Sequence, residues 1–260
     1  MGYRGRDVEI AMLTDGQCLV AACDSCGAIG DKEFDIVKVT PHLVGRFTVR
    51  VALLEVLAAG AVPQIVTVAV SNELYPTGDG ILAGVKDELK SAGIESLPAA
   101  ISTEKNMPTR QTGLGISIVG ICRREEVRIA TSLSGDNVYC LGLPKVGPEV
   151  QNPDDEEIVQ GKHVLSLLKI NGIHDIVPVG SQGIRREADM LAENSGCDFI
   201  PDGSTPVDWD KSAGPSTCLI FTSPAELTAI LLGELAGAGP AFRSIPLFKA
   251  GILVPNVRSN

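Results

Sequence analysis

Hydrophobic and polar residues follow two different periods in the first part of the chain. Residues 7–13 and 18–23 form short apolar runs that are typical of strands, whereas residues 42–59 are apolar nearly all round, which is typical of a buried helix. Gly60 predicts the end of this helix, and the β-branched run at 65–70 predicts a buried strand soon after it. The pattern therefore predicts a helix that leads into a sheet.

A second helix and three more strands are predicted in the remainder of this half. Asp79 can cap a helix that runs from about Ile81 to Ala92, where a glycine follows. The strands are predicted near 97–101, 112–122 and 127–133.

A turn cluster at residues 134–137, Ser-Gly-Asp-Asn, marks a change of pattern. We place a domain boundary there, which gives an N-terminal domain at 1–133 and a C-terminal domain at 134–260. Strands and helices alternate in the second half as well, so the sequence predicts a mixed α/β (α+β) fold. The elements predicted in this half are strands near 138–143, 175–179, 218–221 and 251–255 and helices near 155–168, 183–194 and 224–235.

The charge of the chain argues against one class of partner. Its 32 acidic and 22 basic side chains give a formal net charge of -10, which repels polyphosphate backbones, so we expect no nucleic acid partner.

Seven cysteines, an odd number, lie mostly in apolar runs, which favours reduced thiols and a cytoplasmic location. No stretch approaches the roughly 20 apolar residues that cross a bilayer, and the start of the sequence lacks an apolar signal segment, so no membrane is expected as a partner.

Three carboxylates stand where a chain normally avoids charge. Asp24 is predicted at the end of a strand, Glu55 is the only charge in an apolar helical run, and Glu104 lies between a strand and a polar loop. An unpaired buried carboxylate is costly, so each must protonate, pair or bind a cation. Together they favour a metal site that handles phosphate, with a buried ion pair as the alternative for Glu55.

A glycine-rich turn after Asp24 brings a cation near the proposed metal. Gly27 and Gly30 let backbone amides approach phosphate oxygens, and Lys32 offsets the phosphate charge. The spacing is not that of a Walker P-loop, and an ordinary turn at a strand end is the alternative. Asp35 is a candidate base or further metal ligand, with a surface aspartate as the alternative.

Two further motifs have both a functional and a structural interpretation. Arg46 and Arg50 lie one turn apart on the helix that carries Glu55, so they can clamp phosphate or meet carboxylates at the edge of the core. Cys23 and Cys26 form a C-x-x-C motif, which can mark a zinc site or a redox pair, but no further ligands follow at short spacing.

Taken in order, three segments resemble the superfamily of aminoimidazole ribonucleotide synthetase, thiamin-monophosphate kinase and selenophosphate synthetase. Residues 20–27 resemble its strand followed by an aspartate and glycines, with Lys32 near the place of its phosphate-binding lysine. Residues 55–63 resemble its acidic helix segment followed by Gly-Ala and proline. Residues 101–108 resemble its Gly-Gly-Glu/Asp-Thr loop, with Ile-Ser in place of the two glycines.

This resemblance implies an N-terminal sheet that pairs with that of a second subunit, so that a homodimer encloses a barrel. It implies that Mg²⁺ and ATP bind across this dimer, with Asp24, Glu55 and Glu104 as the magnesium ligands. The C-terminal domain would close over the nucleotide and shape the acceptor site. The residues expected at the nucleotide are Gly27, Gly30, Lys32, Arg46, Arg50 and Asn106.

Within the superfamily the chain most resembles the α-ribazole kinases, which salvage the lower ligand of cobalamin, through residues 24–32, 44–47, 102–106 and 111–113. The implied activity is magnesium-dependent transfer of the γ-phosphoryl group of ATP to the 5'-hydroxyl of α-ribazole. Lys32 and Asp35 are the implied catalytic residues. A thiamin-phosphate kinase or another small-molecule kinase of this fold is the main alternative, and a non-catalytic ATP-binding regulator is the alternative of another class.

Overall fold

The structure is a computed structural model that describes residues 2–204, 207–224 and 244–256. The chain divides into two compact units, and the division near residue 127 lies close to the predicted domain boundary. The first unit comprises Met1–Leu57, Ala61–Val127 and Gly147–Pro153, and the second comprises Ala58–Gly60, Arg128–Val146 and Asp154–Asn260.

The first unit is a five-stranded sheet with two long helices and a small two-stranded ribbon. Its strands are β1 (Val8–Met12), β2 (Gln17–Gly27), β3 (Ile29–Gly30), β4 (Val37–Lys38), β5 (Val62–Val70), β6 (Ala99–Thr103) and β7 (Gly113–Arg123), and its helices are α1 (Pro41–Ala58) and α2 (Asp79–Ser91). The large sheet has the order β1-β2-β7-β5-β6, and β3 pairs with β4.

One face of the large sheet is buried and the other is largely open within this unit. Alternate residues of β2 and β7 are buried, such as Val20 and Ile118, because successive side chains of a strand point to opposite faces. Helices α1 and α2 cross closely, since a Cβ on Gly84 would lie 2.0 Å from the carbonyl oxygen of His42. Helix α1 is thus packed against other elements, as its uniformly apolar sequence predicts.

The described residues of the second unit form a five-stranded antiparallel sheet with the order β10-β12-β8-β11-β9. Apolar side chains of its strands and of its last described helix, such as Ile220 and Leu191, form one core cluster. Its elements are β8 (Asn137–Leu141), α3 (Gly161–Leu167), β9 (Ile176–Pro178), α4 (Gly183–Asn194), β10 (Cys197–Pro201), β11 (Leu219–Ser223) and β12 (Leu247–Pro255).

Two predicted elements differ from the structure for identifiable reasons. Residues 127–133 form no strand, because the amides of Thr131 and Ser132 donate to the Asp175 carboxylate instead of a neighbouring strand. The helix predicted from 155 begins only at Gly161, because Asp155 accepts the amide hydrogen of Glu157 and pairs with Lys145.

One strand was not predicted, and one predicted helix cannot be compared with the structure. Strand β10 escaped prediction because Asp198 and Pro201 interrupt its apolar run, while the helix predicted at 224–235 lies almost wholly outside the described residues. Among the described residues, no helix is both long and apolar enough to span a membrane.

Candidate functional site

Three loops meet at one edge of the first sheet, which we call the carboxyl edge. Strands β2 and β5 both run antiparallel to β7, and β6 runs parallel to β5, so β2, β5 and β6 all end at the same edge. The register places Gly27 opposite Gly113 and Val70 opposite Leu114. The loops at 28–36, 71–78 and 104–112, which follow or precede these strand ends, therefore lie together at the carboxyl edge.

Lys32 holds a central position at the carboxyl edge. Its Nζ lies 2.8 Å from Oε2 and 2.9 Å from Oε1 of Glu73 and donates to the carbonyl oxygen of Thr109 at 3.1 Å. Although burial alone would raise the pKa of Glu73, hydrogen bonds from Lys32 and Thr77 lower it to about 2. The lysine is thus held by an ionised carboxylate and joins all three loops.

Asn72 is a site residue that the sequence prediction missed. Its side chain is fully buried; Nδ2 donates to Thr109 Oγ1 at 2.7 Å and to the carbonyl oxygen of Gln111 at 2.8 Å. Its Oδ1 accepts the amide hydrogen of Gly113 at 3.0 Å. Asn72 therefore fixes the loop at 104–112 against the end of β5. The signal in the sequence that could have identified Asn72 is the polar Asn-Glu pair soon after the β-branched strand.

Asp35 is buried rather than on the surface, which corrects one of the two interpretations of this residue. Its oxygens accept hydrogen bonds from the amide of Thr112 at 2.8 Å, the Thr112 hydroxyl at 2.6 Å and the amide of Lys32 at 2.9 Å. Gly30 leaves room for this contact, since a Cβ there would lie 2.2 Å from Thr112 Oγ1. These bonds give Asp35 a role in shaping the Lys32 loop, and its catalytic role stays a prediction.

Asp24 lies inside β2 and not at the strand end, which corrects the prediction of its place. It projects from the same face as the buried residues Val20 and Ala22, with intermediate exposure. Burial raises the pKa of Asp24 to about 6, the charge of Asp7 adds to this shift, and the Ser25 amide opposes it. The charges of Asp24 and Asp7 thus repel each other beside the sheet.

Glu55 forms the buried ion pair that was the alternative for this residue. Its Oε2 lies 3.1 Å from the guanidinium NH2 of Arg6, and the two side chains are only 7% and 3% exposed. Burial raises the pKa of Glu55, while Arg6 opposes this shift. We therefore leave Glu55 out of the proposed metal site, and its role as a ligand stays a sequence-based prediction.

Glu104 occupies the expected place directly after β6, where it is partly exposed. Its Oε1 accepts the amide hydrogens of Asn106 at 2.6 Å and Met107 at 3.1 Å, and these bonds lower its pKa. Its own amide donates to the carbonyl oxygens of Val70 and Asn72, which fixes it to the end of β5. Glu104 and Asn106 thus lie at the carboxyl edge, and their ligand roles stay predictions.

Arg46 and Arg50 meet a carboxylate in the core, as the structural interpretation of this pair proposed. Arg46 Nε lies 2.9 Å from Glu88 Oε2, and Arg50 Nε lies 2.6 Å from Glu88 Oε1. Arg50 also donates to the carbonyl oxygen of Pro153 at 2.7 Å. All three charged side chains are buried, so these arginines join α1 to α2, and we do not assign them to a nucleotide.

The C-x-x-C motif lies within β2, which decides its interpretation. Residues three apart on a strand point to opposite faces of the sheet, so the thiols of Cys23 and Cys26 cannot share one metal ion or form a disulfide in this conformation. Cys26 instead makes a hydrogen bond with Thr48 of α1, and burial raises its pKa to about 11.

The carboxylates of the first unit supply the oxygen donors that Mg²⁺ prefers. Among the described residues, no group of three or more His, Cys, Asp or Glu side chains is arranged to hold a metal ion. Mg²⁺, however, commonly takes one or two carboxylates and fills its other positions with water and substrate phosphates. Asp24, with its charge partly desolvated and Asp7 close enough to raise its pKa, fits such a site in donor type and in its need for a cation.

Comparisons with known proteins agree with this architecture. No family model matches the sequence, and no curated protein matches it. Thiamine-monophosphate kinase from Stenotrophomonas maltophilia is similar in structure, with a TM-score of 0.66 and 15% identity over 97% of this chain and 87% of that one. AaThiL complexed with AMPPCP and TMP gives a TM-score of 0.62 and 16% identity over 97% and 85% of the two chains.

A larger protein contains the same fold. T. maritima PurL complexed with ATP matches with a TM-score of 0.66 and 14% identity, over 98% of this chain and 43% of that one. At these identities the likeness concerns the fold, and it agrees with the fold that the sequence resemblance implied. The chain therefore has the fold shared by thiamine-monophosphate kinase and PurL, a mixed α/β architecture of the aminoimidazole ribonucleotide synthetase-like kind.

Proposed function

We propose that the chain is an ATP-dependent phosphotransferase that acts on a small molecule. The observation that carries the proposal is the likeness over 97% of the chain to thiamine-monophosphate kinases, one of them complexed with AMPPCP and TMP. The carboxyl edge supports it with a fixed lysine, backbone amides of a glycine turn and nearby carboxylates. Phosphoryl transfer needs mainly positioning and charge neutralisation, which such groups supply.

Mg²⁺ would be held by Asp24, with Asp7 as the second carboxylate, and by phosphate oxygens of ATP. When bound, the ion neutralises charge that develops on the transferred group. Lys32 would contact the phosphates from the loop at 28–36, where Asp35 and Glu73 fix its backbone and its ammonium group. Glu73 holds the ammonium group of Lys32 in place when no nucleotide is bound, and a bound phosphate would compete with it for this group. Glu73 therefore acts as a positioning residue.

For the acceptor we propose the 5'-hydroxyl of α-ribazole, on the resemblance of the carboxyl-edge segments to α-ribazole kinases. Thiamin phosphate is the second candidate, because thiamine-monophosphate kinases are among the structural neighbours. Incubation with Mg²⁺, ATP and each acceptor, followed by separation of the products, distinguishes them. Phosphorylation of thiamin phosphate alone would overturn the α-ribazole proposal. Nucleotide binding without acceptor-dependent ADP would favour a regulator.

Replacement of Lys32 separates its chemical role from a structural one. We expect Lys32→Met to lower kcat by about 100-fold or more, since it removes a charged donor to the phosphates. Glu73→Gln should change KM for ATP more than kcat, because Lys32 keeps its charge but loses its anchor. The measurement is steady-state kinetics beside thermal unfolding, with the exposed Lys90→Met as control. Unchanged kcat in a folded Lys32→Met variant would remove Lys32 from catalysis.

We further propose that the open face of the first sheet pairs with a second copy of the chain. Exposed apolar or small side chains on that face include Ala21 on β2 and Ala69 on β5, and Ile65 on β5, which has the same alternation as Ala69, is 37% exposed. Burial of this apolar surface against the same surface of a second copy is favourable, and the resemblance implies a dimeric barrel. The sheet-pairing partner is thus a copy of the same sheet.

Sedimentation tests this dimer. We expect a dimer for the wild type and a monomer for Ile65→Glu, because the new charge would be buried at the interface. Ile200→Glu is the matched control, since Ile200 is 50% exposed on a strand of the second unit. A monomeric wild type, or an Ile65→Glu variant that remains dimeric, would contradict the pairing.

A further inference from the structure

Three sulfur atoms form a row across the far end of the first sheet. The register places Met12 of β1 opposite Cys18 of β2, and Cys18 opposite Cys122 of β7. Residues directly opposite each other on adjacent strands share one face, with Cβ atoms about 5 Å apart. Met12, Cys18 and Cys122 therefore project side by side, and we call them the sulfur row.

The sulfur atoms are in contact rather than merely aligned. The Cys18 thiol donates to Met12 Sδ at 3.2 Å. Cys122 also interacts with the Cys18 thiol, and burial raises the pKa of Cys122 to about 11, with smaller contributions from Cys18 and Glu126. Both cysteines are free thiols and buried, whereas Met12 is 50% exposed on an outer strand. The two thiols of the sulfur row are thus shielded from solvent, whereas the thioether at its end is accessible to solvent.

We propose that the sulfur row binds a soft monovalent metal ion of the Cu(I) class. Two thiolates and a thioether are the ligand set that such an ion prefers over oxygen and nitrogen donors. Metal–sulfur bonds of about 2.3 Å place trigonal ligands about 4 Å apart, so Met12 Sδ and Cys18 Sγ need to separate by less than about 1 Å. Met12 gives the ion a path from solvent to the buried thiols.

Binding releases both thiol protons to solvent, as the two sulfurs become thiolates bound to the metal and no electron is transferred. Gly27 lies nine positions after Cys18 on β2, which corresponds to about 30 Å of extended strand. The sulfur row is therefore remote from the carboxyl edge, and its test does not depend on the proposed phosphotransferase activity.

The test is a competition titration of the full chain with Cu(I) and a chromogenic chelator, under argon with ascorbate as reductant. We expect one Cu(I) per chain and a sulfur-to-copper charge-transfer band in the ultraviolet. Cys122→Ser should weaken binding by at least about 100-fold, because it removes a ligand, and Met12→Leu by about 10-fold. Met12→Leu is an exposed and nearly isosteric change, so it keeps the test valid if a cysteine variant fails to fold.

The matched control is the double variant Cys23→Ser, Cys26→Ser, which should bind Cu(I) as the wild type does. Loss of binding in this control, or unchanged binding in a folded Cys122→Ser or Met12→Leu variant, would overturn the proposal. A Cys18–Cys122 disulfide formed without retained copper, seen by mass spectrometry, would also overturn it.

Discussion

Asp24→Asn is expected to make the free protein more stable and the nucleotide complex weaker. The folded-state pKa of Asp24 is about 6 against an ordinary value of 3.8, so ionisation of this group opposes folding. The stability that the protonated form contributes is present below the ordinary pKa and is lost as the pH rises through about 6. At pH 7.5 the substitution should therefore raise the free energy of unfolding, by about 3 kcal/mol at most.

The pH dependence and a control make this prediction specific. Urea unfolding should show a stability gain that shrinks below pH 6 and nearly disappears at pH 3, where Asp24 is largely protonated in both states. Glu9→Gln, which removes an exposed acid from the neighbouring strand β1, should show no such gain. Calorimetry should show that Asp24→Asn binds Mg²⁺-ADP at least about 10-fold more weakly, as the loss of a metal ligand requires.

Asp24→Asn is thus expected to raise the stability of the free protein and to lower its affinity for the nucleotide, and this combination distinguishes a metal ligand from a structural carboxylate. A carboxylate that served only the fold would not weaken it when ionised, whereas a metal ligand placed beside Asp7 is strained until a cation arrives. Asp24→Asn with lower stability at pH 7.5, or with unchanged magnesium-dependent nucleotide affinity, would contradict the assignment of Asp24 to the metal.

Glu88→Gln is expected to be the most destabilising single change in the first unit. It removes the carboxylate charge that Arg46 and Arg50 both contact in the interface of α1 and α2. Removal of one partner of a buried ion pair typically costs about 3–5 kcal/mol. Asp87→Asn is the matched control on the same helix, because Asp87 is exposed and forms its ion pair with the exposed His42; it should cost less than about 1 kcal/mol.

The same pair of variants decides between the two interpretations of the arginines. Chemical denaturation gives the stabilities, and calorimetry at a temperature where both variants are folded gives the nucleotide affinities. We expect Glu88→Gln to leave the affinity for Mg²⁺-ADP unchanged. Tighter binding, from arginines released to meet phosphate, would restore the phosphate-clamp interpretation of Arg46 and Arg50.

Local signals in the sequence were sufficient for much of the fold. The apolar run that predicted a helix at 42–59 became α1, and the helix predicted at 183–194 has the bounds of α4. These elements are specified by periodicity, glycines and proline within a few residues. Elements whose polar groups bond to distant side chains failed, as at 127–133, where Asp175 replaces a partner strand.

The candidate site was harder to predict because its contacts join residues far apart in sequence. Lys32 was found from its glycine turn, but its partner Glu73 and the clamp by Asn72 depend on the pairing of β5 with β7. Likewise the pairing of Arg6 with Glu55 depends on how the chain before β1 passes α1. The sequence was sufficient to identify charged side chains in unusual positions, but their partners could be identified only from the fold.

The central claim is that this chain transfers a phosphoryl group from ATP at the carboxyl edge. The most direct measurement is the amount of ADP and of phosphorylated riboside formed from Mg²⁺, ATP and α-ribazole, by wild type and by Lys32→Met. We predict equal amounts of the two products for the wild type, with loss of both for the variant. ADP formed without any phosphorylated acceptor, or equal product from the two proteins, would contradict it.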